Sequence, residues 1–500
     1  MTDAAGNRWS YGYDVLGRRV SSTDPDRGGT AFGYDDAGQL TSATDARGTT
    51  LAYSYDNLGR RTGEFLGSTT GTKLAGWTYD TLTGGKGLLT SATRYAGGQA
   101  YTTAVSGYGT NGQPWGKSVT IPATETGLAG TYSYRMLYKP NGQLESLGLP
   151  VTAGLPNESL TYGFDDLGNP TSLVAGLTQY VTGAAYMPLG QPARYTLFSS
   201  GETAWLPSYY DLPTGRLTNT KVEVGGNPVP ASDAYYTYDP AGNVKSVADT
   251  GDTQCFGYDQ QRRLTQAWTP SGGSCATAPS VLGLGGPAPY WQSVGYDVAG
   301  NRTGLVAHAA AGDTTTTYAY PVPGTAQPHT VRSATVSGPG VSRTDSWSYD
   351  ATGNASGRTV AGASRTLDWD VEGRLTAVSG GPAGVSMLYD ADGSRLIRRD
   401  GAGATLYLPD GSRCTSTRPA PTRPRRGTTP SVARRSRCAR RPGCPSWVRI
   451  GTAPRRWRSV PRPGRRRCAG PTRSATRGEP RRRGRGSGGS SAGSPTGPPG

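Results

Sequence analysis

The side chains best suited to acid–base or metal chemistry are sparse: two histidines, His308 in "LVAHAAAG" and His329 in "AQPHTV", and six cysteines. A histidine can act as a general base near neutral pH, but neither of these lies beside a G-x-S-x-G nucleophile or within an H-E-x-x-H metal motif. Both read as loop residues. Carboxylates are numerous, yet nothing in the sequence selects a working pair from them. The Asp residues that recur ahead of a glycine could bind calcium, except that no D-x-[DN]-x-[DN]-G run followed by Glu occurs. "LGLGGPAP" from Leu282 lacks the G-K-[ST] of a phosphate loop. No catalytic, metal or cofactor-binding residue is assigned, and the chain reads as a non-enzyme without a cofactor.

What the acidic residues do share is a spacing. Tyr13-Asp14, Tyr34-Asp35 and Tyr55-Asp56 lie 21 residues apart, and each opens the pattern Y-D-x-x-G, closed by Gly17, Gly38 and Gly59. The pattern returns as Tyr238, Asp239 and Gly242, as Tyr296, Asp297 and Gly300, and as Tyr349, Asp350 and Gly353. It closes with Trp369, Asp370 and Gly373 and with Tyr389, Asp390 and Gly393, and "FDDLGN" from Phe164 is a conservative form. Weaker copies at Tyr108, Tyr138 and Tyr186 keep the aromatic and the glycine, and "YDQQRR" from Tyr258 keeps Tyr-Asp alone. Fixed-period self-similarity of this kind marks a repeat array.

The elements that position these residues follow from the pattern around them. Apolar and aromatic residues alternate before each turn, as in Trp9, Tyr11 and Tyr13 or Leu51, Tyr53 and Tyr55, which predicts a strand. Asp then accepts backbone N–H bonds in a turn, and the glycine three residues on can adopt positive φ. A second extended run such as "GQLTSAT" follows. With 75 Gly, 38 Pro and no sustained helical period, the chain is expected to be all-β, a series of antiparallel hairpins that pair edge to edge in one sheet. Equivalent tyrosines would stack in ladders. The alternative use of these aromatics, a row of sugar-binding rings, requires them to be exposed.

Charge divides the chain in two. Ser412 to Gly500 holds 24 Arg, no Lys and the single acid Glu479, so this segment carries +23 of the formal +17 and the rest sums to −6. Residues 1–410 thus form the repeat array, with a period of about 20 residues, and residues 411–500 an Arg-, Pro-, Gly- and Ser-rich tail. Ordering its final 89 residues would cost on the order of 100 kcal/mol of backbone entropy with six large apolar side chains to offset it, so disorder is expected. A genuine basic arm would bind nucleic acid or another polyanion. A shifted reading frame in a GC-rich gene accounts for the same composition, and an offset reading of "RCTSTR" permits Val-His-Val-Asp-Pro. Cys414, Cys438, Cys444 and Cys468 form no C-x2-C pair and would be accidental.

No run of about 18 apolar residues is present, so no membrane span is expected. The N-terminus has no secretory signal, and it opens inside a repeat, since "TDAAGNRWSYGYD" has the layout of "TDARGTTLAYSYD". The chain is therefore expected to be a piece of a longer product.

On these motifs, residues 1 to about 410 resemble the YD-repeat (Rhs) family of bacterial secreted proteins, related to the extracellular repeats of teneurins. The resemblance implies a spiralling sheet that closes as a hollow shell around a C-terminal toxin or effector, in a secreted or cell-surface parent. Thr171 to Pro230 and Gly304 to Thr344 depart from the pattern and could be degenerate repeats, loops or plugs. Cys255 and Cys275, one period apart, could pair across neighbouring strands as a disulfide suited to an exported shell, or remain two reduced thiols.

Overall fold

In the computed structural model, residues 1–151, 157–199, 201–381 and 383–417 are described, together with the course of a strand at Ser436–Ala439. Among the described residues, thirty-four strands run from Ser10–Tyr13 to Arg413–Thr417, with one short 3-10 turn at Val281–Gly283. Every strand pairs antiparallel with the one before and the one after it, beginning with Ser10–Tyr13 on Arg19–Asp24 and continuing through Gly403–Tyr407 on Arg413–Thr417. The result is one unclosed all-β meander. The irregular passages belong to it as degenerate repeats: Thr178–Tyr186 pairs with Pro192–Ser199, and Thr314–Ala319 pairs with Ser333–Gly338.

Regular strands continue past residue 410, because Arg413–Thr417 adds a further rung with Ser412, Cys414 and Ser416 buried. Cys414 is disulfide-bonded and stands in register with Cys438, which differs from the accidental placing expected from C-x2-C spacing. The disorder and the frame shift expected from residue 418 onward lie outside the described residues, the strand at Ser436–Ala439 apart.

A single sheet has no second layer, so its core must come from the sheet returning to itself. The larger apolar cluster joins Tyr101, Val119, Ile121, Leu128, Tyr132 and Tyr134 to Leu396, Ile397, Leu406, Leu408 and Cys414. A smaller one sets Ala75, Trp77 and Ala92 against Ala391. Early strands thus pack on strands roughly three hundred residues later, as a spiral requires. Most strands elsewhere have both faces only half-buried.

Candidate functional site: repeat turns and the seam they build

The repeat turn is built as its residues demand. At Asp14 the backbone N–H donates to the Arg18 carbonyl at 3.0 Å and Gly17 N–H donates to the Asp14 carbonyl at 3.0 Å. The Asp14 carboxylate accepts from the N–H groups of Leu16 and Arg18, each at 2.9 Å. Both bonds recur at Asp56, Asp350, Asp370 and Asp390, and the bond from the residue four positions on recurs at Asp35, Asp239 and Asp297. Gly17, Gly38, Gly59, Gly242, Gly300, Gly353, Gly373 and Gly393 all have φ between 76° and 88°. Arg262 takes this position after Asp259 at φ 60°.

The tyrosine that opens each turn reaches back one hairpin. Tyr34 Oη donates to the Arg19 carbonyl at 3.0 Å, Tyr55 to Leu40 at 2.8 Å and Tyr238 to Leu217 at 2.7 Å. Tyr296, Tyr349 and Tyr389 make the same bond to Leu264, Val331 and Leu375, and the Trp369 indole replaces it with a 2.8 Å bond to Ala355. Between successive tyrosines stands a cation rather than another ring. Arg18 lies over Tyr34 at 5.1 Å, Arg60 over Tyr79 at 4.4 Å and Arg263 over Tyr296 at 4.7 Å. The expected aromatic ladder is therefore interleaved: a strand separation of about 4.8 Å, doubled from one hairpin to the next, leaves a gap that a guanidinium fills. Arg18 also pairs with Asp14 at 2.6 Å and donates to the Asp35 carbonyl at 2.8 Å, which ties one turn to the next.

The late turns meet the opposite edge of the early hairpins and form a seam. His329 lies between two early carboxylates, with Nδ1 2.7 Å from Asp26 and Nε2 2.9 Å from Asp3, and its ring stacks on Trp9. Asn7 accepts from the Gly324 N–H at 2.8 Å, and Gln327 N–H donates to the Pro25 carbonyl at 2.7 Å. Further along, Arg47 donates to the carbonyls of Asp370 and Val371. Arg94 pairs with Glu372 and stands 3.7 Å from Asp370. Trp77 Nε1 donates to Asp392 at 3.2 Å, Arg399 pairs with Glu125, and Tyr134 donates to Asp410 at 3.0 Å. Carboxylates, cations and apolar residues alternate along this line.

Burial shapes the electrostatics of the seam. It pushes the carboxyls of Asp370 and Asp390 above their ordinary value, outweighing the backbone donors of their turns. Glu64 rises for the same reason, with the charge of Glu372 adding to it. Burial also opposes the charged forms of Asp3 and His329. Hydrogen bonds from Asn7 and His329 prevail at Asp3 and hold it at about 2, while the bonds to Asp3 and Asp26 raise His329. Neither histidine is the plain loop residue expected from sequence. His329 is in a loop but serves as the seam's bridge. His308 ends the strand Arg302–His308, 2.9 Å from Ser293 Oγ and 2.9 Å from Asp313 Oδ2.

Cys255 and Cys275 are joined by a disulfide with Cα atoms 5.5 Å apart. Cys275 lies in the loop that follows the strand Leu264–Trp268, rather than on a neighbouring strand. Among the described residues no group of three or more His, Cys, Asp or Glu side chains is arranged to hold a metal ion, and no helix is long and apolar enough to cross a membrane.

The RHS Repeat family model matches residues 1–28 and 34–64. No curated relative matches the sequence. The fold is similar to the crystal structure of TcdB2-TccC3, with a TM-score of 0.65 and 17% identity over 83% of this chain and 22% of that one. The same pair without its hypervariable C-terminal region gives 0.65 and 18%. The Photorhabdus luminescens Tc holotoxin pore gives a TM-score of 0.64 at 18% identity, over 82% of this chain and 21% of that one. The chain spans about a fifth of the length of the solved chains it matches.

Proposed function

For a chain that carries RHS repeats and winds them into one sheet, we propose a structural role: a section of wall that helps enclose a C-terminal effector in a secreted or cell-surface parent. The seam carries this reading. Bonds between edges hundreds of residues apart have no use in an open ribbon and hold successive rounds of a wall together. Similarity to a protein solved with and without a hypervariable C-terminal region supports the link to a variable cargo.

Enclosure is tested by fusing an unstable, protease-sensitive reporter to the C-terminus of the full chain. A wall slows digestion of the fused reporter relative to the free one at equal protease. Equal rates would remove the enclosing role. Export is supported by the Cys255–Cys275 link, which belongs in an oxidising compartment. A non-reducing peptide map of protein from the native host should recover the two cysteines in one linked pair. Separate peptides would count against export.

The carbohydrate reading gains no support, because the turn tyrosines spend their hydroxyls on backbone carbonyls and several present their rings to arginine. Polyanion binding rests on the Arg-rich tail alone. Intact mass spectrometry with resequencing around codons 405 to 420 decides whether that tail is made. Should it be, binding to DNA that weakens steeply with salt is expected.

A further inference from the structure

The hairpin formed by Trp291–Tyr296 and Arg302–His308 carries three side chains in a hydrogen-bonded row. Trp291 and His308 are direct register partners, so Ser293, two residues along the same face, lies diagonal to the imidazole. Ser293 Oγ is 2.9 Å from His308 Nε2, and His308 Nδ1 is 2.9 Å from Asp313 Oδ2, in the loop that follows. Nucleophile, base and orienting carboxylate are thus connected through opposite nitrogens of one ring, the arrangement that activates a hydroxyl for acyl transfer. The imidazole is held flat by the Trp291 ring, 3.7 Å away. Independently, the Trp291 indole N–H is buried with no acceptor, as is that of Trp268, its register partner on the next strand. A buried donor without a partner is costly in a sheet, and it is suited to an oxygen that arrives with a ligand.

We propose that Ser293 is an activated nucleophile that accepts acyl groups from carboxylic esters. Ser293 Oγ adds to the ester carbonyl while its proton moves to His308 Nε2, and the developing oxyanion takes the Trp291 N–H. The ester C–O bond then breaks and the departing alcohol carries off the proton from Nε2. Water adds to the acyl-serine, gives a proton to Nε2, and the acid leaves as that proton returns to Oγ. The sum is ester plus water giving acid plus alcohol, with no other reactant. Asp313 is the positioning residue, accepting from Nδ1–H.

The full chain is treated with a fluorophosphonate and, separately, with p-nitrophenyl acetate. The expected result is one phosphonyl adduct per chain, mapped to Ser293, and a burst of p-nitrophenol that Ser293→Ala removes. His308→Gln lowers the labelling rate about 100-fold. Trp291→Phe keeps the stacked ring, loses the donor, and lowers the rate by a factor on the order of 100. Asp313→Asn lowers the labelling rate and Asp313→Glu restores part of it, which a purely structural contact would not do. Unlabelled wild-type protein, or labelling at Ser293 that His308→Gln leaves unchanged, overturns the proposal without reference to whether any variant folds.

Discussion

The same five-residue turn occurs in two settings. At Asp14, Asp56 and Asp239 it lies on a free edge, and a bond from Arg18, Arg60 or Asn243 holds the carboxyl below its ordinary 3.8. At Asp370 and Asp390 it is pressed into the seam, and burial moves the carboxyl the other way. The local bonds barely differ. What the comparison teaches is that the repeat supplies a standard connector, and that position in the spiral decides whether its charge is solvated or enclosed.

The sharpest way to break the comparison is to remove one cation from each setting. Arg94 is 6% exposed and faces Glu372, whose side chain is 3% exposed. Arg94→Ala leaves Arg374 as the remaining cation beside the buried Glu372, so the loss should approach but not exceed the roughly 3–5 kcal/mol of a fully broken buried pair. Arg18→Ala on the free edge, where the ion pair with Asp14 and the contact over Tyr34 are partly solvated, should cost no more than about 1 kcal/mol. Equal shifts for the two variants would show that the seam is no more enclosed than the edge.

Glycine offers a second contrast. Gly17 and Gly353 both have φ of 76°, so Ala at either is strained by about 1–2 kcal/mol. A Cβ at Gly17 meets nothing within 4 Å, whereas at Gly353 it falls 2.7 Å from the Asp26 carbonyl across the seam. Gly353→Ala should therefore destabilise more than Gly17→Ala, and the excess measures the seam contact alone. An early strand such as Gly28–Tyr34 should lose hydrogen-exchange protection only in the Gly353 variant.

Acidity separates Asp370 and Asp390 from the free-edge turns by sign, whereas at Asp350, also at the seam, burial is outweighed by bonds from Thr352 and Asn354 and the carboxyl stays below its ordinary value. A raised carboxyl is protonated more easily when folded, so the contribution from Asp370 and Asp390 is fully favourable below 3.8 and is lost as pH rises through their raised values. His329, facing Asp3, Asp26, Asn7 and Trp9, contributes fully below 6.5 and loses that contribution as pH rises through its raised value. Free-edge aspartates contribute above 3.8 and lose it as pH falls through their depressed values. The urea midpoint should then be higher at pH 5 than at pH 8, with His329→Gln removing part of the difference. A midpoint that falls from pH 8 to pH 5 would contradict this assignment.

Legibility in the sequence follows the range of the interactions. The Asp turn closes within five residues and the hairpin within about twenty, so period and turn chemistry sufficed for the all-β meander and the role of Asp14 or Gly17. Seam partners are separated by 326 residues for Asp3 and His329, and nothing in composition or spacing joins them. The back-bond of Tyr34 to Arg19 was hidden for another reason: a carbonyl has no sequence signature. Ser293 and His308 were within reach, since counting strand positions outward from Tyr296 and Gly300 places them diagonally across one hairpin, but a search for contiguous motifs passes over such pairs.

The smallest effect is expected where the turn breaks its own rule. Arg262 fills the glycine position after Asp259 at φ 60°, yet the turn bonds persist, with Asp259 N–H donating to Arg263 at 3.0 Å and Arg262 N–H to Asp259 at 2.9 Å. A non-glycine residue in this region is strained by about 1 kcal/mol or more, while glycine recovers that strain and forfeits part of it to greater freedom in the unfolded chain. Arg262→Gly should therefore stabilise by a few tenths of a kcal/mol up to about 1 kcal/mol, read as a small rise in urea midpoint with no change in slope. The adjacent Arg263, which pairs with Asp259 at 2.6 Å and lies over Tyr296, stays in place, so the change isolates backbone strain from the cation chain. A loss of stability would mean that the Arg262 side chain makes a contribution larger than the strain, and that this free-edge turn depends on more than its backbone.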